Sequence, residues 1–147
     1  MIDAVHRALF QFWSGFGVPA YLQGHVPLRV NADGSIVKDE DGRYVPIDPP
    51  YITFEVEAGD LFATSYMSAY NWHRSFSGTN VNRDRAQLLD RIAKAIPTEG
   101  VLLPLDNDAG AIVLERNPAG FQSYYDPDDE DGIVAGRTQY AVTFYTL

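Results

Sequence analysis

Two alternating runs set back to back leave this chain little choice of fold. From Tyr51 to Glu57, Ile52, Phe54 and Val56 alternate with Tyr51, Thr53, Glu55 and Glu57. After Ala58-Gly59-Asp60 a second alternation runs from Leu61 to His73. A period of two is the mark of a strand whose faces differ, and a short break containing Gly turns the chain back on itself. The second run is lopsided. Phe62, Thr64, Tyr66, Ser68, Tyr70 and Trp72 lie on one side, and Ala63, Ser65, Met67, Ala69 and Asn71 on the other. Large against small predicts that a helix packs closely on the small side.

Two helices are predicted. Ile2, Val5, Leu9, Phe12 and Trp13 recur at steps of three and four, an apolar stripe over Ile2 to Trp13. Asp3 suits its N-terminal dipole, and Gly15, Gly17 and Pro19 end it. Leu88, Leu89, Ile92, Ala93 and Ile96 form the stripe of a second helix, Asn82 to Ile96, which Asn80 or Asn82 can cap and Pro97 and Gly100 terminate. Strands are expected at Val101 to Leu105, Ala111 to Arg116 and Arg137 to Tyr145, with a short extended piece at Phe121 to Tyr125. Between Pro19 and Pro50 the chain reads as loop. Asp33-Gly34 and Asp41-Gly42 favour tight hairpin turns, so residues 28–47 are expected to form an exposed β-hairpin or loop excursion. No internal repeat and no low-complexity tract is visible. The order predicts a single α+β domain over residues 1–147: a mixed, mostly antiparallel sheet flanked by an N-terminal and a central helix.

Composition removes several functions. With 147 residues the chain is long enough for one core, and 46% apolar content supports one. It has no cysteine, which excludes disulfides, zinc ribbons, thiolate catalysis and iron–sulfur clusters. Eleven basic against twenty acidic side chains give a net charge of −9, the wrong sign for a protein that anchors on duplex phosphates. No apolar run reaches the roughly 20 residues of a membrane span. Met1 to Arg7 lacks the basic-then-apolar order of a signal peptide, so a cytoplasmic product without membrane partners is expected.

Each motif that could carry chemistry has a plainer reading. Asp126, Asp128, Asp129, Glu130 and Asp131 form the densest acidic cluster. A calcium loop starting at Asp126 would need Gly sixth and Glu twelfth, where Asp131 and Arg137 stand. The segment therefore reads as a solvated or partner-facing loop, and Asp39-Glu40-Asp41 as a turn. His6, His25 and His73 are scattered, with no nucleophile or carboxylate that spacing would bring to them. Ser75, Ser77, Gly78 and Thr79 lack the upstream Gly of a nucleophile elbow and the Lys of a phosphate loop. No catalytic residue, metal site or cofactor is expected. Tyr dominates nineteen aromatics, and Tyr and Trp are enriched at protein interfaces. Candidate interface residues are Tyr51, Glu55, Glu57, Tyr70, Trp72, Tyr124 and Tyr125, together with the acidic loop, and the excursion from Leu28 to Ile47 is a further candidate contact surface.

Some of these segments carry a resemblance. Pro49-Pro50-Tyr51-Ile52-Thr53-Phe54-Glu55 resembles the P-Y-I-T-Y-E strand of small tail-assembly proteins of long-tailed bacteriophages. Asn80 to Pro97 with Gly100 to Pro104 resembles their central helix and next strand, and Gly120 to Asp131 with Gly136 to Tyr145 resembles their C-terminal end. The resemblance covers roughly residues 50–147, and residues 28–47 depart from it. It implies a tail terminator or tail-completion protein of the virion, assembled in the host cytoplasm. Such a protein forms a ring, six subunits in the usual case, that caps the tail tube at its head-proximal end and stops its growth. The implied partners are further copies of itself, the tail tube protein and a head–tail connector or stopper protein, with genome DNA only passing through the lumen. An acidic wall suits that passage, because like charge removes phosphate anchoring. The alternatives are another connector component, a small metal-dependent hydrolase built on the acidic loop, and an acidic adaptor that mimics DNA; Glu55 and Glu57, a carboxylate pair of the kind hydrolases use, read more plainly as solvent-facing.

Overall fold

The computed structural model describes residues 2–57, 65–74, 81–106, 110–125 and 133–145. The elements are helix α1 (Ile2–Trp13), a 3-10 turn (Ser14–Phe16), β1 (Ala20–Leu22), β2 (Tyr51–Val56), β3 (Ser65–Arg74), helix α2 (Val81–Ala95), β4 (Val101–Pro104), β5 (Ala111–Tyr125) and β6 (Ile133–Tyr145). They make one α+β unit. The six strands lie in the order β1-β2-β3-β6-β5-β4. All neighbours are antiparallel except β1 and β2, which run parallel, Ala20 opposite Ile52.

Binary pattern decides which face of the sheet is covered. Ile52 and Phe54 of β2, Met67 and Ala69 of β3, Ile112 and Leu114 of β5, and Tyr140 and Val142 of β6 point inward and are buried. Against them pack Val5, Leu9 and Trp13 of α1 and Leu88, Ile92 and Ile96 at α2. The small side of β3 is the side the helices cover, as its lopsided pattern predicts. Ala69 beside Phe54, its partner in register, leaves room for a helix to approach. The sheet is curled, and α1 touches both of its edge strands, β1 and β4. Trp13 is wholly buried, within ring contact of Phe12, Phe16 and Tyr140, and its indole N–H points at the Met67 sulfur at 3.5 Å.

Side chains from the sheet and helices close the remaining ends. Arg116 of β5 donates from Nε to the Ile96 carbonyl at 2.8 Å and from its other arm to Ala93. These carbonyls at the end of α2 have no partner within the helix, and a cation there opposes the negative end of its dipole. Arg91 donates to the Phe16 carbonyl and joins α2 to the 3-10 turn. Lys94 pairs with Asp90 one turn earlier at 2.8 Å, which raises the lysine's pKa.

Three expectations change. Residues 20–22, read as loop, are a strand. A parallel neighbour needs a crossover, and residues 23–50 supply it. Phe121 to Tyr125 is no separate piece but the end of β5, which passes a register irregularity between Arg116 and Phe121. Most informative is the excursion, which does contain a repeat. Arg29, Val37 and Val45 stand eight residues apart and bond in a cycle: Val37 N–H to Arg29 C=O, Val45 N–H to Val37 C=O, and Arg29 N–H to Val45 C=O. The bridges Val30–Ile36, Lys38–Tyr44 and Leu28–Pro46 follow the same rotation. Residues 28–47 are thus a closed three-sided β-motif of octads, not a simple hairpin. Each Asp-Gly pair ends a three-residue loop: Gly34 N–H bonds Asn31 C=O, Gly42 N–H bonds Asp39 C=O, and both glycines have φ near +80 to +90° (88° and 78°).

One prediction follows from the core. Burial pushes the Tyr140 phenol above its ordinary value of 10.0. The folded state then holds this proton more tightly than the unfolded state. The associated stability is complete below pH about 10 and is lost as pH rises through the folded value. Denaturant titrations across the alkaline range should show a decline that Tyr140→Phe reduces.

Candidate functional site

No group of three or more His, Asp or Glu side chains is placed to hold a metal ion among the described residues. His6 lies in an open groove, His25 is exposed, and His73 is buried at the end of β3. The groove measures about 430 Å³ and is lined by His6, Arg7, Phe10, Gln11, Leu22 and Asp106. Its one ion pair, Arg7 Nε to Asp106 at 2.7 Å, lies between two well-exposed side chains. It ties α1 to the chain after β4, contributing little energy at such exposure.

The outer face of the sheet gathers several predicted residues. Tyr51, Tyr70 and Trp72 come together there: the Tyr51–Trp72 and Tyr70–Trp72 ring centroids are both 6.2 Å apart, and Tyr21 of β1 joins Tyr51 at 6.1 Å. Trp72 Nε1 donates to Thr53 Oγ1 at 2.9 Å, so the threonine is buried and satisfied on a face opposite the core. The Arg137 guanidinium carbon lies 6.0 Å from the Tyr70 ring centroid, and Arg137 Nη2 donates to Ser68 Oγ at 3.1 Å. Tyr51 is buried and Tyr70 and Trp72 are half-buried, so this cluster is chiefly a second, outer core. Glu55 and Glu57 remain exposed beside it. Tyr124 and Tyr125 lie in β5 opposite Ala135 and Val134. Asp126, Asp128, Asp129, Glu130 and Asp131 lie outside the described residues, as does the hydroxyl-rich loop at Ser75 to Thr79.

Half of the exposed large apolar side chains among the described residues lie in the excursion at residues 28–47. Of the eight large apolar side chains that stand exposed among the described residues, Leu28, Val30, Ile36 and Tyr44 belong to the octad motif. Its inner positions, Arg29, Val37 and Val45, are half-buried around the pseudo-threefold centre, and Leu28, Ile36 and Tyr44 occupy the first, outward position of each octad. The motif is rigid for polar reasons. Asp33 accepts from the Ser35 N–H and hydroxyl, which holds its carboxyl below the usual range, and Asp39 accepts from the N–H groups of Asp41 and Arg43. Arg29 bonds Asp48 and Lys38 lies 5.2 Å over the Tyr44 ring. Reading the sequence in octads would have found it: Leu28, Ile36 and Tyr44 share one position, and Gly34 and Gly42 another.

A second patch lies at the far edge of the sheet. Leu102 of β4 is 62% exposed and faces Val113, while Pro104 faces Ala111, itself opposite Tyr145. Leu105 donates its N–H to Gly110 C=O across the strand pair. By alternation, Pro104 occupies a position whose missing N–H faces away from β5, where it costs least.

Asn71 is an exception on the core side. It is fully buried, and no group among the described residues bonds its side-chain Nδ2 or Oδ1. An unpaired buried amide costs about 1–3 kcal/mol. Asn71→Val should therefore raise the unfolding midpoint in thermal or denaturant melts, a strand-favouring residue replacing a costly one.

Comparison with protein-family models, with curated proteins and with solved structures finds no match to this chain.

Proposed function

We propose that this chain is a structural subunit of a long-tailed phage tail, a terminator that closes into a ring at the head-proximal end of the tail tube. Its work is adhesion between copies and to the tube, not transformation of a substrate. The observation that carries the reading is the exposed apolar surface, concentrated in the octad motif and at the β4 edge of an otherwise acidic subunit. Exposed apolar side chains gathered in one motif suit a protein that binds other proteins. The segments that resemble tail-assembly proteins fall on β2, on α2 with β4, and on β5 with β6, the frame that holds the β4 patch.

Six copies at −9 each would carry −54 formally. Assembly must overcome that repulsion through apolar contact, so it should tighten as salt screens the charges, with a Debye length of about 10 Å at 0.1 M. Light-scattering mass across a salt series, followed by negative-stain imaging with purified tail tubes, tests the reading. Rings or capped tube ends support it. Monomers that neither assemble nor attach to tube ends overturn it.

A further inference from the structure

We propose that Asp41 is a site of spontaneous covalent modification: at the Asp41-Gly42 corner of the octad motif the chain converts to isoaspartate through a cyclic imide, while the matching corner at Asp33-Gly34 resists.

The chemistry needs only the chain and water. The glycine backbone nitrogen attacks Cγ of the protonated aspartyl carboxyl. An N–Cγ bond forms, the amide proton passes to solvent, and the carboxyl hydroxyl leaves as water. Water then opens the imide ring. Addition at the α-carbonyl carbon breaks its bond to the glycine nitrogen, so the chain runs on through the β-carbonyl, one methylene longer. Addition at Cγ restores aspartate. A glycine favours the ring because it sets no side chain beside the attacking nitrogen.

The motif holds two such pairs in equivalent places. Both are exposed. Both glycine N–H groups bond the carbonyl three residues earlier, Gly34 to Asn31 at 3.0 Å and Gly42 to Asp39 at 3.1 Å. Both glycines have positive φ, 88° and 78°. Nitrogen, turn and exposure are therefore matched, and the carboxyl groups are not. Asp33 Oδ1 accepts from the Ser35 N–H at 2.9 Å and from the Ser35 hydroxyl at 2.6 Å. To react, Asp33 must give up both bonds and take a proton. The Ser35 bonds also hold its pKa below the ordinary value, which makes the protonated form scarcer.

At the second corner the same kind of bonds go to another residue. Asp39 Oδ1 accepts from the N–H groups of Asp41 and Arg43, and Arg43 stands one octad after Ser35, where no hydroxyl is present. No described residue hydrogen-bonds or ion-pairs with the Asp41 carboxyl. It is free to turn onto the Gly42 nitrogen. The added methylene would fall between Asp39 and Arg43, whose N–H to C=O bond of 2.9 Å closes this corner. A third pair, Asp131-Gly132, lies outside the described residues.

The experiment ages the full chain at neutral pH in heavy-oxygen water, where each passage through the imide leaves one heavy oxygen on the aspartyl residue. Trypsin, used afterwards in ordinary water, cuts after Arg29, Lys38 and Arg43. Asp33 then lies in the peptide 30–38 and Asp41 in the peptide 39–43. Mass spectrometry reads the label in each, and fragmentation assigns it to a residue. Asp41 should label about tenfold faster than Asp33, the factor that one hydrogen bond to a charged group is worth. In urea the two should label at similar rates, because the difference belongs to the fold. Ser35→Ala should speed labelling at Asp33 and leave Asp41 unchanged, with far-UV circular dichroism showing that the variant is folded. Asp41→Glu should remove the label from residues 39–43. Equal rates in the folded chain, faster labelling of Asp33, or label on Asp39 instead of Asp41 overturn the proposal. So does a folded chain whose residues 39–43 gain no label while the urea sample gains it, or a folded Ser35→Ala chain in which Asp33 stays as slow as before.

Discussion

Trp13→Ala should lower the free energy of unfolding by about 3–5 kcal/mol, the range for deleting a large aromatic from a packed interior. Trp13 is the last residue of α1 and the point where the helix, the 3-10 turn and the sheet converge. It has ring contacts to Phe16 and Tyr140 and an N–H directed at Met67. Removing it deprives three elements of a shared partner, so the cavity cannot close by moving one of them. Domains of this size hold about 5–15 kcal/mol in all, so the loss takes a large share of the reserve. Urea titration with an unchanged slope and a lower midpoint would confirm that the loss lies in the native core. Trp13→Phe should recover part of it.

Gly100→Ala should lower stability by about 2–5 kcal/mol. Gly100 closes the turn between α2 and β4 with φ +89° and donates its N–H to Pro97. A Cβ there would lie 2.8 Å from the Leu114 carbonyl oxygen, 2.9 Å from Glu115 Cγ and 3.2 Å from Val113 Cγ1. The left-handed conformation costs an alanine about 1–2 kcal/mol. Pushing the backbone of β5 aside adds about 1–3 kcal/mol. Gly34→Ala separates the two causes: its φ is +88° but nothing lies within 4 Å of the added carbon, so only the conformational part should appear. Thermal melts of both variants should rank Gly100→Ala well below Gly34→Ala.

The elements legible from sequence are those whose signal is local and long. The stripe from Ile2 to Trp13 repeats over several turns, and Ile52, Phe54 and Val56 alternate without interruption, so helix and strand could be told apart by period alone. The stripe of Leu88, Ile92 and Ile96 worked in the same way. Ala20-Tyr21-Leu22 offers too few residues for any period, and its strand character comes from β2, some thirty residues onward (Ala20 opposite Ile52). The octad motif was half legible. Its turns were readable because Asp-Gly is a strong local cue. Its closure was hidden because the third octad ends in Pro49-Pro50, so the pattern of glycines breaks where the ring of hydrogen bonds closes. Of the candidate surfaces, Tyr51, Tyr70 and Trp72 were expected at an interface; they meet on one face, and alternation within each strand could not tell how far they bury one another. Leu102 escaped notice since a short apolar run gives no sign of which of its residues face outward until its register with β5 is known.

The placement of α1 bears on how this polypeptide is made. The helix rests on both sheet edges and on Tyr140, so α1 depends on partners supplied by β6, more than a hundred residues further along the chain. Until β6 has emerged, Val5, Leu9 and Trp13 have only a fraction of their final neighbours. Folding of this unit should therefore wait until β6 is present, and refolding should be slow for a unit of this length, since joining distant parts of a chain sets the rate.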